Sequence, residues 1–233
     1  MNKVSSARLN AHEYCERVER KYRRHLHLMP GMSIKDDHSA LLNLNKSGFN
    51  LMFEPSIQED YQFMVRAAVY DKIGRISKRL DREDKTLWLR SAWRSFAHQR
   101  RLWEDRVKSL QKEYPKKELE EIEELVSYFI APPNKSMHAT GGAVDALIYD
   151  LKNNRILPFG TNDGYKITLN DKCYPYHPYI TPEAKNNRKL LIGLFEAEDF
   201  AVDLKEYWHF DYGNAGWALV KKKEQAMYGI IEA

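Results

Sequence analysis

The run AVDALIYD, residues 143–150, has the composition of a β-strand, yet it carries a carboxylate, Asp145, among apolar neighbours. A buried carboxylate without a partner is costly, so any fold that packs this strand must bring a cation or several hydrogen-bond donors to Asp145 from elsewhere in the chain. The residues around it offer a way to do so. In SMHATGGAVD, residues 136–145, His138 precedes Asp145 across Gly141 and Gly142, and glycine permits the tight turn that would let the two side chains converge.

Other segments set the architecture. FNLMF ends an irregular Pro/Gly/Asn-rich stretch, residues 30–50, as a short strand. From Glu59 to about Leu80, apolar positions including Phe63, Val65, Val69, Ile73, Ile76 and Leu80 recur nearer 3.6 than 2 residues apart and predict a helix. TLWLRSAW, residues 86–93, alternates as a strand. Ser95 can cap the following helix, which places Phe96, Trp103, Val107 and Leu110 on one stripe and ends at Pro115. A second, acidic helix runs from about Lys117 to Phe129, with Leu119, Ile122, Leu125, Val126 and Phe129 as its apolar positions, and Pro132–Pro133 stops it. Thr181–Pro182 opens a helix through about Ala197, and YWHFDYG, residues 207–213, reads as a strand. Helices gather early and strands late, with no internal repeat, which predicts an α+β domain over residues 51–233 and a charged, helical N-terminal extension over residues 1–50.

Charge and cysteine narrow the functional classes. Thirty-seven basic against 33 acidic residues leave a net charge of +4, too small an excess to imply a polyanion partner. Residues 1–30 are basic, but their interleaved glutamates and Val18, Tyr22 and Leu26 fit a solvated helix better than a nucleic-acid arm. Cys15 and Cys173 lie in no metal-ligand spacing and are expected as reduced thiols. No apolar run approaches the ~18 residues of a membrane span, and the N-terminus lacks a secretory pattern, so a soluble, cytoplasmic protein is expected. The sequence sets no oligomeric state.

Two further sites complete a chemical constellation. In EYWHFDYG, Glu206 precedes His209 by three residues, adding another imidazole and another carboxylate. His138, Asp145 and His209 form a nitrogen- and oxygen-donor set suited to one catalytic Zn2+ per chain, with a fourth position for water and Glu206 as proton acceptor. On a regular strand residues 206 and 209 face opposite sides, so Glu206 must sit at a bend or where the strand begins. Arg94, in SAWRSFAHQ, stands where a strand gives way to a helix and could stabilise an oxyanion.

The pattern S-x-H-x-x-G-x-A-x-D, followed by E-x-x-H and preceded by the arginine of SAWRSFAHQ, resembles the zinc D-alanyl-D-alanine dipeptidases of the vancomycin-resistance type. They belong to a wider group of D,D-peptidases that shares its fold with the hedgehog signalling domain. The likeness spans Phe53 to Gly213, and Ser95 stands where the family has a proline. It implies an antiparallel sheet carrying the zinc ligands His138, Asp145 and His209, with helices packed on one side. It also implies Glu206 as general base and acid, Arg94 as the transition-state arginine, and Ser136 with Asp163 of PFGTNDGY holding a substrate ammonium. The implied substrate is a small peptide, D-Ala-D-Ala. The alternatives are a D,D-carboxypeptidase or peptidoglycan-trimming peptidase using the same site in a more open cleft, and a non-catalytic zinc-containing binding domain.

Overall fold

The structure, a computed structural model, describes residues 3–55 and 61–231, with side chains from Ala11 onward. A long helix, α1 (Lys3–Leu28), leads through a 3-10 turn to two short strands, β1 (Ser33–Ile34) and β2 (Leu41–Asn43), and then to β3 (Leu51–Phe53). Next come β4 (Met64–Arg66), α2 (Ala67–Asp81) and β5 (Lys85–Ser91), followed by an α-hairpin of α3 (Phe96–Glu113) and α4 (Leu119–Ser127). The strand singled out from the sequence is β6 (Ala143–Asp150), and three short strands follow it, β7 (Arg155–Ile156), β8 (Asn162–Asp163) and β9 (Lys166–Ile167). The chain ends with α5 (Pro182–Glu196), β10 (Ala201–Val202), β11 (His209–Asp211), α6 (Ala215–Val220) and β12 (Gln225–Ala226). Among the described residues no helix is long and apolar enough to cross a membrane.

The main sheet has the order β10-β11-β6-β5-β3, with β7 also paired to β6, and its centre is antiparallel. The expected antiparallel pairing holds for β6 and β11, the strands of Asp145 and His209, while the sheet as a whole is mixed because β3 pairs with β5 in parallel. Parallel neighbours need a crossover, and the segment containing α2 supplies it. Leu87 and Leu89 of β5, together with Val144, Ala146 and Ile148 of β6, pack into one core with Val69, Ile73, Ile76 and Leu80 of α2 and Leu191 and Phe195 of α5. Asp145, His209 and Asp211 lie on the opposite face, which they share with the buried Leu147 and with Trp88.

Three local expectations change. Residues Phe63 and Val65 belong to an extended segment, and the helix begins only at Ala67, because β4 pairs with β2. Glu59 lies outside the described residues. Phe96 is exposed, so the apolar stripe of α3 reduces to Trp103, Val107 and Leu110 packed on Ile122 and Val126 of α4, while Leu119 and Leu125 face solvent. Ser95 does cap α3, its Oγ accepting from His98 N at 3.2 Å. Residues 11–50 contribute to the packing: Leu44 enters the core, and β1 pairs with β12 near the other end of the chain.

Candidate metal centre and its cavity

His138 lies in a 3-10 turn, Met137–Thr140, that ends at Gly141 with φ of 72°. Backbone proximity explains the next glycine: a Cβ on Gly142 would fall 2.3 Å from the carbonyl oxygen of Tyr212. The glycine pair therefore lets the His138 turn close against β11 before β6 begins. In the β6–β11 ladder, Asp145 stands directly opposite His209, so both side chains share one face.

The result is a buried group of His138, Asp145 and His209, with one potential ligand atom from each within 4.8 Å of the others. His138 Nδ1–H donates to the Ala92 carbonyl at 2.7 Å, which leaves the Nε2 lone pair facing Asp145 Oδ2 at 3.4 Å. His209 Nδ1 lies 2.9 Å from Asp145 Oδ1, and its Nε2 lies 3.2 Å from Asp211 Oδ1. With each imidazole oriented by an acceptor on its far nitrogen and the other nitrogen turned inward, the donor set fits a divalent metal such as zinc.

Electrostatics support this reading of the group. Burial, with Arg94 nearby, pushes the His138 pKa down to about 4, so this imidazole is neutral and ready to ligate. Burial opposes a charge on His209, but Asp211 and the hydrogen bond to Asp145 override it and raise the pKa well above 6.5. Burial would likewise raise Asp145, yet His138 and His209 hold it well below 3.8. A metal ion must therefore compete with a proton on His209.

Glu206 meets the geometric condition set by the sequence. It sits in the turn before β11, where its carbonyl accepts from His209 N at 3.2 Å. Asp203 Oδ1 shapes that turn by accepting from Lys205 N at 2.7 Å and Glu206 N at 3.0 Å. Burial, then the neighbouring Asp203 and Asp145, raise the Glu206 carboxyl to about 8. Arg94 sits on the other side of the group. Its Nη2 donates to Asp145 Oδ2 at 3.0 Å, its Nε to Ser91 Oγ at 2.7 Å, and its Nη1 to Gln99 Oε1 at 3.3 Å.

A cavity of about 920 Å3 joins these groups, with His138, Asp145, His209, Glu206, Arg94 and Ser136 all in its lining. Asp163 does not line it; it is exposed on β8. Sequence reading passed over Asp211, Asp203 and Gln99. Asp211 was within reach, since it stands two residues beyond His209 and so on the same strand face, whereas Gln99 and Asp203 gave no comparable signal.

A second cluster, Cys15, Asp171 and His177, also brings potential ligand atoms together. Its hydrogen bonding argues against a metal. Tyr179 N–H donates to His177 Nδ1 at 3.1 Å, which puts the imidazole proton on Nε2, 3.8 Å from Asp171 Oδ2. Both cysteines are free thiols.

Comparison with known proteins adds the family. Residues 62–186 match the VanY family, D-alanyl-D-alanine carboxypeptidase, a stretch that includes Arg94, His138 and Asp145 and ends before Glu206 and His209. The D-alanyl-D-alanine dipeptidase of Escherichia coli (strain K12) is 32% identical over 80 residues, and the match spans 34% of this chain and 39% of that relative. Among solved structures, the LdcB LD-carboxypeptidase is similar at 17% identity and a TM-score of 0.46, over 83% of this chain and 78% of that one. A Zn(II) complex of the vancomycin-resistance D,D-pentapeptidase VanY from a VanB-type cassette gives 12% identity and a TM-score of 0.44, over 80% and 94%. VanYB in complex with D-Alanine-D-Alanine gives 13% and 0.45, over 72% and 88%. Since residues 62–186 make up more than half of its length, the chain belongs to the VanY family of D-alanyl-D-alanine carboxypeptidases.

Proposed function

We propose that this chain is a zinc-dependent D,D-peptidase that hydrolyses the bond between the two terminal residues of a peptide ending in D-Ala-D-Ala. The observation that carries the reading is the meeting of His138, Asp145 and His209 with Glu206 and Arg94 in one cavity. A metal used only for structure requires neither an adjacent buried glutamate nor a guanidinium. Zinc bound by the three ligands would polarise the scissile carbonyl and lower the pKa of a water toward ~7.

The remaining steps belong to side chains. Glu206, buried beside Asp203 and Asp145 so that its carboxylate is a stronger base than a solvated one, would take a proton from the attacking water in its ionised form and return it to the leaving amine. Arg94, fixed by Ser91 and Gln99, offers donors to the oxyanion that develops on the carbonyl. Ser136, buried in the cavity lining, remains a candidate contact for the substrate.

Two observations favour a peptide terminus over the free dipeptide. Asp163, the expected ammonium partner, is not in the cavity lining, and a volume of about 920 Å3 lies toward the upper end of the ~300–1,000 Å3 typical of small-molecule sites. The dipeptide reading is favoured instead by the S-x-H-x-x-G-x-A-x-D pattern and by the 32% identity over 80 residues to a dipeptidase. Turnover of a pentapeptide stem against free D-Ala-D-Ala separates the two readings. The catalytic assignment is tested by measuring zinc content and D-Ala release for wild type and Glu206→Ala: about one zinc per chain retained and most activity lost is the expected result. Loss of the metal itself would make Glu206 a ligand and overturn its assignment.

A further inference from the structure

The walls of the cavity differ in chemistry. Arg94, Arg101 and Lys135 line one part of it together with Asp105, a net positive wall, whereas α1 and the segment after it contribute Tyr22, His25, Leu26, Met29, Met32 and Ile34. Burial, reinforced by Lys21, lowers the pKa of His25, so this second wall carries no formal charge at neutral pH. Both walls border the cavity that holds the metal centre. His25 lies within the electrostatic reach of Asp203 and Asp211, on the His209 side, whereas His98 of α3 senses Arg94 and His138.

Leu26, Ile34 and Ile230 line the cavity while remaining 46%, 52% and 46% exposed, an apolar rim at the mouth of a polar site. The wall is also anchored. Glu19 of α1 accepts from the Tyr174 hydroxyl and pairs with Lys205 Nζ at 3.5 Å, and that ammonium lies 3.2 Å from the Tyr128 ring centroid and 4.6 Å from that of Tyr22. Lys205 adjoins Glu206, so α1 is tied to the turn that carries the proposed base. All of α1 lies outside the residues that match the family.

The geometry points to α1 and the turn after it as a binding subsite for an uncharged, apolar acyl group on the amino side of the scissile D,D unit. The inference rests on the D,D-peptidase reading, and charge complementarity orients the substrate: the terminal carboxylate faces Arg101 and Lys135, Arg94 serving the oxyanion, and the acyl group lies along α1. A short dipeptide leaves this wall uncovered, whereas an acylated one buries Leu26 and Met29.

The test compares acetyl-D-Ala-D-Ala with hexanoyl-D-Ala-D-Ala. Binding is measured by calorimetry on zinc-loaded protein carrying Glu206→Gln, and kcat/KM on zinc-loaded wild type. The expected result is a preference of at least about tenfold for the hexanoyl probe in both measurements, because its extra methylenes leave water. Leu26→Glu and, separately, Ile34→Glu should bring the ratio close to one, and Leu26→Ile should keep it. A ratio near one in the parent protein, or a ratio that survives both glutamate variants, overturns the subsite. If the wild type turns over neither probe, the D,D-peptidase reading fails, while the binding ratio still decides whether the wall takes an acyl group.

Discussion

Asp211 provides the sharpest test of how this site holds a metal. It is buried, and its Oδ1 accepts from His209 Nε2 at 3.2 Å and from Asn214 Nδ2 at 2.6 Å. Replacing it by asparagine preserves shape and one acceptor but removes the charge that makes the hydrogen bond to His209 strong. Loss of such an orienting partner typically weakens metal affinity about 10–100-fold, or ~1.4–2.7 kcal/mol. A second effect runs the other way. Asp211 is the largest of the influences that raise His209, so Asp211→Asn also weakens the proton that competes with the metal. The zinc deficit of Asp211→Asn should therefore be small in mild acid and widen toward alkaline pH, where wild-type His209 has lost its proton unaided. Competition against a chromophoric chelator across that range measures both terms. An affinity unchanged at alkaline pH would refute the assignment of Asp211 as the group that orients His209.

Three further outcomes can be checked independently. Because the Glu206 carboxyl is raised from 4.5 to about 8 in the folded state, it contributes a destabilisation that is absent below its unfolded pKa and grows as pH rises through that interval; Glu206→Gln should raise the Tm of metal-free protein at pH 8 and leave it nearly unchanged at pH 4. Ser95→Ala removes the cap of α3 and should cost about 1 kcal/mol in chemical denaturation, with Ser95→Gly less harmful. Gly142→Ala forces a methyl against the Tyr212 carbonyl and should abolish the cooperative unfolding transition or lower Tm sharply, whereas alanine at Gly193, with open space around it, should be tolerated.

How much was legible in the sequence depends on whether a feature is local. Asp145 in an apolar strand announced that partners must come, and the glycine pair beside His138 announced a close turn. The helix from Thr181 and the cap at Ser95 followed from residue types alone, because both are satisfied within one turn of chain. The segment 63–66 was misassigned because its apolar spacing suits either period, and only pairing with Leu41–Asn43 decides for a strand. The parallel edge of the sheet, the placement of Asp163 away from the cavity, and the wall built by α1 are long-range outcomes. Nothing in the spacing of their residues records them.

One such outcome explains why Arg94 and Asp145 meet at all. The β5–β6 ladder runs regularly as far as Leu89 opposite Ala146, and then slips so that Ser91 stands opposite Asp145. In an unbroken ladder Arg90 would take that place and Ser91 would face Val144, on the other side of the sheet. The extra residue turns Ser91 onto the face that carries the ligands, where its Oγ accepts from Arg94 Nε at 2.7 Å, and it redirects the chain so that Arg94 follows from the same side. Arg90, displaced by the bulge, keeps its own pair with Glu54 at 2.8 Å, and both residues line the cavity. A bulge thus converts a strand whose alternation suits core packing into one that also delivers a fixed guanidinium to the face of Asp145.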